Sequence, residues 1–183
     1  RLGSAALAAA PRFALAALVG ANAYAVATRE APWRAWSHPH GPVAELARVL
    51  HQHAAGKFVL ALTPGVDPVY PALFEAGAFQ AMRYMTLWPL QVVYEKCPAD
   101  GSRFRPPERM RGYERTVFRQ VTEDFVRRRP AVVLLDRFAD IEPCGEEFDF
   151  LLYFLQNPAF AEEFSHYAKI GEVDRFAIFT RLD

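Results

Sequence analysis

Cysteine is scarce in this sequence: only Cys97 and Cys144 occur among 183 residues, with 46 residues between them. The chain therefore has no C-x-x-C pair, which excludes the usual zinc-site and thioredoxin-like spacings. Both cysteines lie in proline-containing loops, KCPADG and EPCGEE. A Cys97–Cys144 disulfide is expected if the domain faces an oxidising compartment, and two unpaired thiols are the alternative.

Net charge is also absent, because 21 basic residues balance 21 acidic ones. Without an overall positive field the chain has no electrostatic feature that would recruit nucleic acid, and we predict no nucleic-acid partner. The sequence contains no H-E-x-x-H, no G-x-S-x-G and no phosphate-binding G-x-x-x-x-G-K-[ST] motif. We therefore predict no catalytic residue, no metal site and no cofactor in this part of the chain.

Long apolar runs are limited to the beginning of the chain. Residues Phe13–Thr28 form an uncharged run of 16 residues, and Ser4–Thr28 contains only Arg12 as a charge. A membrane-spanning helix needs about 20 largely apolar residues. We predict that residues 1–30 hold the last transmembrane helix of a larger protein and that residues 31–42 form an interfacial linker. The predicted membrane-interface residues are Arg29, Trp33, Arg34 and Trp36.

Two other interpretations of the apolar start remain open. One is a secretory signal peptide, with Ala23-Tyr24-Ala25 as its small-residue cleavage site. The other is an alanine-rich helix packed on a globular core. The first two interpretations both place residues 43–183 outside the cytoplasm.

The first half of the domain 43–183 alternates between helical and extended patterns. Apolar residues at helical spacing predict a helix that begins near Val43 and stops at Gly56. The continuous apolar run Phe58–Leu62 predicts a strand that is covered on both faces. The patterns that follow predict, in order, a helix over Tyr70–Ala76, a strand over Phe79–Arg83 and a helix over Leu87–Glu95.

The second half predicts a long helix that begins at Pro107 and buries the stripe Met110, Tyr113, Val117, Val121 and Phe125. Its other predicted elements are a buried strand over Ala131–Leu135, helices over Phe148–Leu155 and Pro158–Tyr167, and a hairpin of Ala168–Val173 with Phe176–Arg181. The predicted fold is a small layered α/β domain with a partly parallel sheet and a C-terminal antiparallel hairpin, preceded by the apolar N-terminal helix.

Polar residues follow the two predicted buried strands. Ligands bind beyond the carboxyl ends of strands in open α/β sheets. We therefore predict a crevice lined by Asp67, Tyr70, Asp136 and Asp140, with Arg83 as an anion or sugar-hydroxyl contact. Trp88 completes the candidate ligand-binding residues. The alternative is ordinary loop chemistry, in which the aspartates bond to neighbouring backbone amides.

Several stretches resemble the extracytoplasmic C-terminal domain of bacterial polytopic GT-C-type glycosyltransferases, which are related to dolichyl-phosphate-mannose–protein mannosyltransferases and to the aminoarabinose transferase of lipid A. The resemblance covers most of residues 43–181 and is carried by FVLALTPGVDPVYPALFEAG, VTEDFVRRRPAVVLLD, FDFLLYFLQNPAFAEEF and YAKIGEVDRFAIFTR. It implies sugar transfer from a polyprenyl-phosphate donor, with the catalytic acidic residue in a loop upstream of Arg1. No family catalytic residue transfers to this chain.

The resemblance implies a non-catalytic domain at the bacterial inner membrane, on the extracytoplasmic (periplasmic) side. Its implied partners are the upstream transmembrane bundle of the same protein and membrane lipid, with the polyprenyl-phosphate sugar as a further candidate. The competing hypothesis is a secreted α/β binding module or small hydrolase that uses a crevice at Asp67, Tyr70 and Asp136. A structural, membrane-anchored interaction domain is a third.

Overall fold

The computed structural model describes residues 17–21, 23–24, 41–96, 98–99, 101–138 and 147–182. The chain divides into two units, Arg1–Pro39 and His40–Asp183. In the first unit, residues 17–21 and 23–24 are helical. The rest of the predicted membrane helix, its interface residues, most of the linker and both cysteines lie outside the described residues. Where the structure does describe the chain, none of its helices has the length and apolar character needed to cross a bilayer.

A five-stranded mixed sheet forms the centre of the second unit. Its strands, numbered along the chain, are β1 (Phe58–Leu62), β2 (Phe79–Gln80), β3 (Val132–Asp136), β4 (Tyr167–Val173) and β5 (Phe176–Arg181), and their order across the sheet is β2-β1-β3-β5-β4. Strands β2, β1 and β3 are mutually parallel, and β5 pairs antiparallel with both β3 and β4. The predicted partly parallel sheet with a C-terminal antiparallel hairpin is confirmed.

Helices cover both faces of this sheet. They are α1 (Pro42–Ala54), α2 (Val69–Ala76), α3 (Pro89–Val93), α4 (Gly112–Arg128), α5 (Phe150–Leu155) and α6 (Pro158–Phe164). The buried residues of α1 and α2 pack on one face, and those of α3 to α6 pack on the other. The described fold of this unit therefore has three layers, helix, sheet and helix.

The core under α1 and α2 follows from alternation along the strands. Val59 and Ala61 of β1 point to this face, whereas Leu60 and Leu62 point to the other, and all of them are buried. Side chains alternate between the two faces of a strand, so an unbroken apolar run is needed when both faces are covered. The predicted burial of one face of α1 is confirmed at Val43, Leu46, Ala47, Leu50 and Ala54.

The opposite core is dominated by aromatic rings. Phe125 of α4 packs against Phe160 of α6 with ring centroids 4.5 Å apart, and Tyr153 of α5 lies 5.3 Å from Phe118 of α4. Aromatic pairs of this kind each contribute about 0.5–1.5 kcal/mol beyond the burial of their area. These contacts join α4, α5 and α6 into one layer.

The predicted start of the long helix was wrong. Pro107–Arg109 form a separate 3-10 turn, and α4 begins at Gly112. Tyr113, which was predicted to be buried, is 46% exposed, whereas its neighbour Glu114 is buried. Glu114 tolerates burial because the Tyr94 hydroxyl and the Arg105 guanidinium both donate to its carboxylate.

Helices α3 and α5 lack the first two residues of the predicted ranges, and α3 also ends two residues early. Strand β2 and helix α6 are shorter than expected as well. Strand β2 ends at Gln80 and does not continue to Arg83, because the Arg83 backbone N–H donates to the Asp124 carboxylate. Helix α6 ends at Phe164 and does not reach Tyr167, which instead begins β4 and donates its hydroxyl to the carbonyl of Pro130. In both places a long-range hydrogen bond overrides the local pattern.

Candidate functional site

The carboxyl ends of β1 and β3 lie side by side, as predicted for neighbouring parallel strands. The hydroxyl of Thr63 donates to Oδ2 of Asp136 over 2.9 Å, and both residues are buried. Oδ1 of Asp136 accepts from the backbone N–H of Phe138 at 3.0 Å and from Nε of Arg175 at 2.6 Å. The Asp136 carboxylate therefore connects β1, β3 and the turn of the C-terminal hairpin.

Asp67 and Tyr70 lie on the segment that follows β1. Asp67 is exposed, whereas Tyr70 is partly buried in the first turn of α2. The Tyr70 hydroxyl donates to the carbonyl of Met85 at 2.8 Å, and burial raises the pKa of this hydroxyl. Among the described contacts, no hydrogen bond joins Asp67 or Tyr70 to Asp136. The predicted role of these residues in ligand binding stays a prediction, and Asp140 lies outside the described residues.

Arg83 is held by a buried carboxylate on α4. Its Nε and Nη2 donate to the two oxygens of Asp124, each at 2.8 Å, and its backbone N–H donates to Oδ2 at 2.9 Å. Burial raises the pKa of the Asp124 carboxyl, but the hydrogen bonds from Arg83 outweigh this effect and leave the pKa below its ordinary value. The same contacts raise the pKa of the Arg83 guanidinium. Arg83 therefore fastens the segment after β2 to α4.

Trp88 belongs to a group of exposed apolar side chains at the carboxyl edge of the parallel strands. The backbone N–H of Leu87 donates to the carbonyl of Thr63 at 2.8 Å, which places α3 beside the end of β1. Around this point large apolar side chains are exposed, and we call them the apolar rim: Val66 (47%), Met85 (59%), Trp88 (55%) and Val92 (66%). Exposed apolar groups that collect in one place are typical of interaction surfaces.

A cleft with a basic lining adjoins the apolar rim, between α3 and the amino end of α4. It has a volume of about 770 Å³ and is lined by Val92 and Glu95 together with four basic residues, Lys96, Arg105, Arg109 and Arg111. A smaller pocket of about 360 Å³ continues it toward Tyr113 and Glu114. We call the two together the basic cleft.

Arg105 is held in the wall of the cleft by Glu114 and Tyr94. Its Nη1 donates to Oε2 of buried Glu114 at 2.9 Å, and its guanidinium lies 5.4 Å from the centroid of the Tyr94 ring. The hydrogen bond to Glu114 raises the pKa of Arg105. Burial and the same carboxylate raise the pKa of the Tyr94 hydroxyl, which donates to Oε1 of Glu114. Arg105 therefore presents a fixed positive charge.

Sequence reasoning missed the basic cleft, although a local signal was present. The segment RFRPPERMR places four arginines within the nine residues from Arg103 to Arg111, with Glu108 as its only acidic residue. The sequence pattern places Pro107 to Arg111 in the first turns of the long helix, and it predicts no binding role for these arginines. The two prolines of this segment disfavour regular secondary structure, and a short 3-10 turn at Pro107–Arg109 precedes the amino end of α4.

The opposite, amino edge of the sheet carries a second group of exposed aromatic residues. Phe58 and Phe79 pack together with ring centroids 6.3 Å apart, Arg128 lies over the Phe58 ring, and Phe74 is 88% exposed. A basic pocket of about 320 Å³ lies at the same edge and is lined in part by Lys57 and by the two arginines Arg129 and Arg181. Each edge of the sheet therefore carries exposed apolar residues and a basic pocket, and both are candidate interaction surfaces.

Within the described residues, no group of three or more histidine, cysteine, aspartate or glutamate side chains could hold a metal ion. Comparisons of the chain with protein-family models, with curated proteins and with solved structures found no match.

Proposed function

We propose that this chain is the non-catalytic C-terminal domain of a bacterial integral-membrane glycosyltransferase that transfers a sugar from a polyprenyl-phosphate donor. The catalytic groups would belong to the membrane-embedded part upstream of Arg1, and the domain would cover that part on the extracytoplasmic side. The resemblance of residues 43–181 to such domains supports the proposal. The mixed α/β architecture is compatible with it.

The position at which the chain enters the domain concerns the second part of the proposal, namely which edge of the sheet faces the membrane-embedded part. Only residues 55–57 connect α1 to β1, so α1 runs back along the sheet in the opposite direction to β1. The 13 residues of α1 span about 20 Å at 1.5 Å per residue, slightly more than the length of β1. Gly41, which precedes α1, therefore lies at the carboxyl edge of the sheet, the edge that carries the apolar rim.

We propose that the carboxyl edge faces the membrane-embedded part of the protein, because this edge carries the apolar rim. Covering one large apolar side chain contributes about 1.5–3 kcal/mol at most. Met85, Trp88 and Val92, each more than half exposed, supply a surface for such burial.

The competing hypothesis, a secreted binding module with a polar crevice, receives less support. It requires Asp136 to present its carboxylate to a ligand. Both oxygens of Asp136 already accept hydrogen bonds from Thr63, Phe138 and Arg175, and the residue is only 2% exposed. A ligand would have to replace these internal partners.

The proposal is tested with the complete protein in its own membrane. Trp88→Ser combined with Val92→Ser removes the centre of the apolar rim, and Phe74→Ser removes a still more exposed aromatic residue near the amino edge. Membranes that contain each variant are supplied with radiolabelled polyprenyl-phosphate mannose or polyprenyl-phosphate aminoarabinose. We expect wild-type membranes to transfer sugar, the rim variant to lose most of this activity at unchanged protein level, and Phe74→Ser to retain it.

Two results would contradict the proposal. If wild-type membranes transfer no sugar from any polyprenyl-phosphate donor, the assignment to this class of enzyme fails. If the rim variant and Phe74→Ser have the same activity, the orientation of the domain fails.

A further inference from the structure

Basic side chains outnumber acidic ones in the described lining of the basic cleft. Its lining contributes the four cations of Lys96, Arg105, Arg109 and Arg111. The acidic residues that face it are Glu95 and, in the smaller pocket, Glu114. The described lining therefore has a formal charge of +2, from four positive and two negative groups. Glu114 is already engaged by Arg105 and Tyr94.

The backbone around the cleft adds to this positive potential. Helix α4 has 17 residues and begins at Gly112, directly after Arg111, and no side chain caps its first N–H groups. The amino end of a helix carries about half a positive charge, so a basic residue beside it is unfavourable unless an anion is near. The sequence places Arg109 and Arg111 in the turn that leads into this end. Glu114 in the first turn of α4 supplies a negative charge close to this end, and the helix end and Arg111 add positive potential to the cleft.

The cleft is large enough to hold a small molecule. Its volume of about 770 Å³ falls within the range of about 300–1,000 Å³ that is common for small-molecule sites. The guanidinium of Arg105 is fixed by the buried carboxylate of Glu114, so little of its conformational freedom would be lost on binding. Lys96 and Arg111 also line the cleft, and their side chains are exposed.

We propose that the basic cleft binds a phosphate group, either of a soluble phosphorylated ligand or of a lipid headgroup. Guanidinium groups donate paired hydrogen bonds that match the oxygens of phosphate, and the Lys96 ammonium supplies a further point charge. Val92, which belongs to the apolar rim, lines the same cleft and offers an apolar contact to whatever the phosphate carries. This inference does not depend on the proposed glycosyltransferase function.

The test compares two pairs of charge-removing substitutions in the 183-residue chain. Lys96→Gln with Arg111→Gln removes two exposed cations from the cleft. Arg48→Gln with Lys57→Gln removes two exposed cations from α1 and from the start of β1, which do not line the cleft. Binding of pyrophosphate is measured by titration calorimetry. Binding to vesicles of phosphatidylcholine with and without one quarter phosphatidylglycerol is measured by cosedimentation.

We expect the wild-type chain to bind at least one of these probes and to release it as salt is raised, because added ions screen exposed charges. The cleft pair should weaken binding by about tenfold or more, since each lost charge-assisted hydrogen bond is worth about one factor of ten. The control pair should change it by less than about threefold, through its net charge alone.

The two probes distinguish the two sources of phosphate. Binding of pyrophosphate that depends on the cleft pair indicates a soluble phosphorylated ligand. Binding only to vesicles with phosphatidylglycerol, again dependent on the cleft pair, indicates a lipid headgroup. The proposal is overturned if the wild-type chain binds neither probe, or if the two pairs of substitutions weaken binding equally. Absence of sugar transfer by wild-type membranes, with phosphate binding to the cleft intact, would refute the proposed function alone.

Discussion

The Arg83–Asp124 pair allows a quantitative prediction for the substitution Asp124→Asn. Asp124 is fully buried and accepts four hydrogen bonds, from the backbone N–H, Nε and Nη2 of Arg83 and from Nη2 of Arg127. Two of these donors meet each carboxylate oxygen. An asparagine keeps one oxygen and replaces the other with an amide nitrogen, so two donors lose their acceptor in either orientation of the amide.

The expected cost follows from this count. A hydrogen bond to a charged group contributes about 1.5–3 kcal/mol, and water can reach part of the Arg83 side chain, so we use the lower value. Two lost bonds then predict that Asp124→Asn lowers the free energy of unfolding by about 3 kcal/mol. This is a large fraction of the roughly 5–15 kcal/mol that is typical of a folded domain.

The assay is urea unfolding of the 183-residue chain followed by circular dichroism. Glu123→Gln is the matched control, because Glu123 is the preceding residue on α4 and forms only exposed ion pairs, with Arg119 at 2.6 Å and with Arg83 at 3.8 Å. We expect the control to cost about 0–1 kcal/mol. Equal effects of the two substitutions would refute the argument that burial makes the Asp124 contacts strong.

The same pair predicts a dependence on pH. The pKa of Asp124 is lower in the folded chain than its ordinary value of 3.8. Its contribution to stability is therefore fully present above pH 3.8 and is lost as the pH falls through the folded pKa. The stability difference between wild type and Asp124→Asn should be constant at neutral pH and should shrink below about pH 4. A difference that stays constant down to pH 2 would contradict the assignment.

Three further predictions concern other parts of the fold. Thr63→Val removes the hydroxyl that donates to buried Asp136, and we expect a loss of about 1–3 kcal/mol in the free energy of unfolding, measured in urea; an unchanged midpoint would contradict this. Gly77→Ala places a Cβ at a φ of 64° and should cost about 1 kcal/mol, seen as a lower melting temperature; a higher one would contradict the conformational argument. Burial raises the pKa values of Tyr94 and Tyr153, so neither should ionise in the absorbance step of exposed tyrosines near about pH 10. Tyr94→Phe should leave that step unchanged, and a smaller step would show that Tyr94 is accessible.

Elements with strong local patterns could be predicted from the sequence. The bounds of β1 were predicted as observed, and the hairpin of β4 and β5 was predicted to within one residue. Helix α2 ends at Gly77 as expected, because glycine adopts the left-handed conformation that closes a helix. In these places hydrophobic period, turn residues and tertiary packing all favour the same structure.

Elements whose limits depend on distant partners could not be predicted. Arg83 and Asp124 are 41 positions apart, and no local pattern indicates that they meet. Burial of Glu114 in place of Tyr113 likewise depends on Tyr94, which lies 20 positions away. Because such polar contacts are specific and long-range, hydrophobic periodicity carries no information about them.

The rule that ligands bind beyond the carboxyl ends of parallel strands led to the prediction that Asp136 lies where β1 and β3 end side by side, and it did not indicate Thr63, whose hydroxyl donates to Asp136. It could not reveal that the Asp136 carboxylate would accept hydrogen bonds from internal partners such as Arg175. The basic cleft lies farther along the same edge. The signal for it in the sequence was the group of four arginines in the segment from Arg103 to Arg111.

The central claim, that the carboxyl edge of the sheet faces the membrane-embedded part of the protein, can be measured directly. The photoreactive residue p-benzoylphenylalanine replaces Val92 at the apolar rim or Phe79 at the amino edge of the complete protein in its membrane. A protease site placed in the linker 31–42 then separates the domain from everything upstream, unless light has joined them. We predict that illumination joins the two pieces when the probe is at position 92 and leaves them separable when it is at position 79. Crosslinking from position 79 and not from position 92 would contradict the proposed orientation.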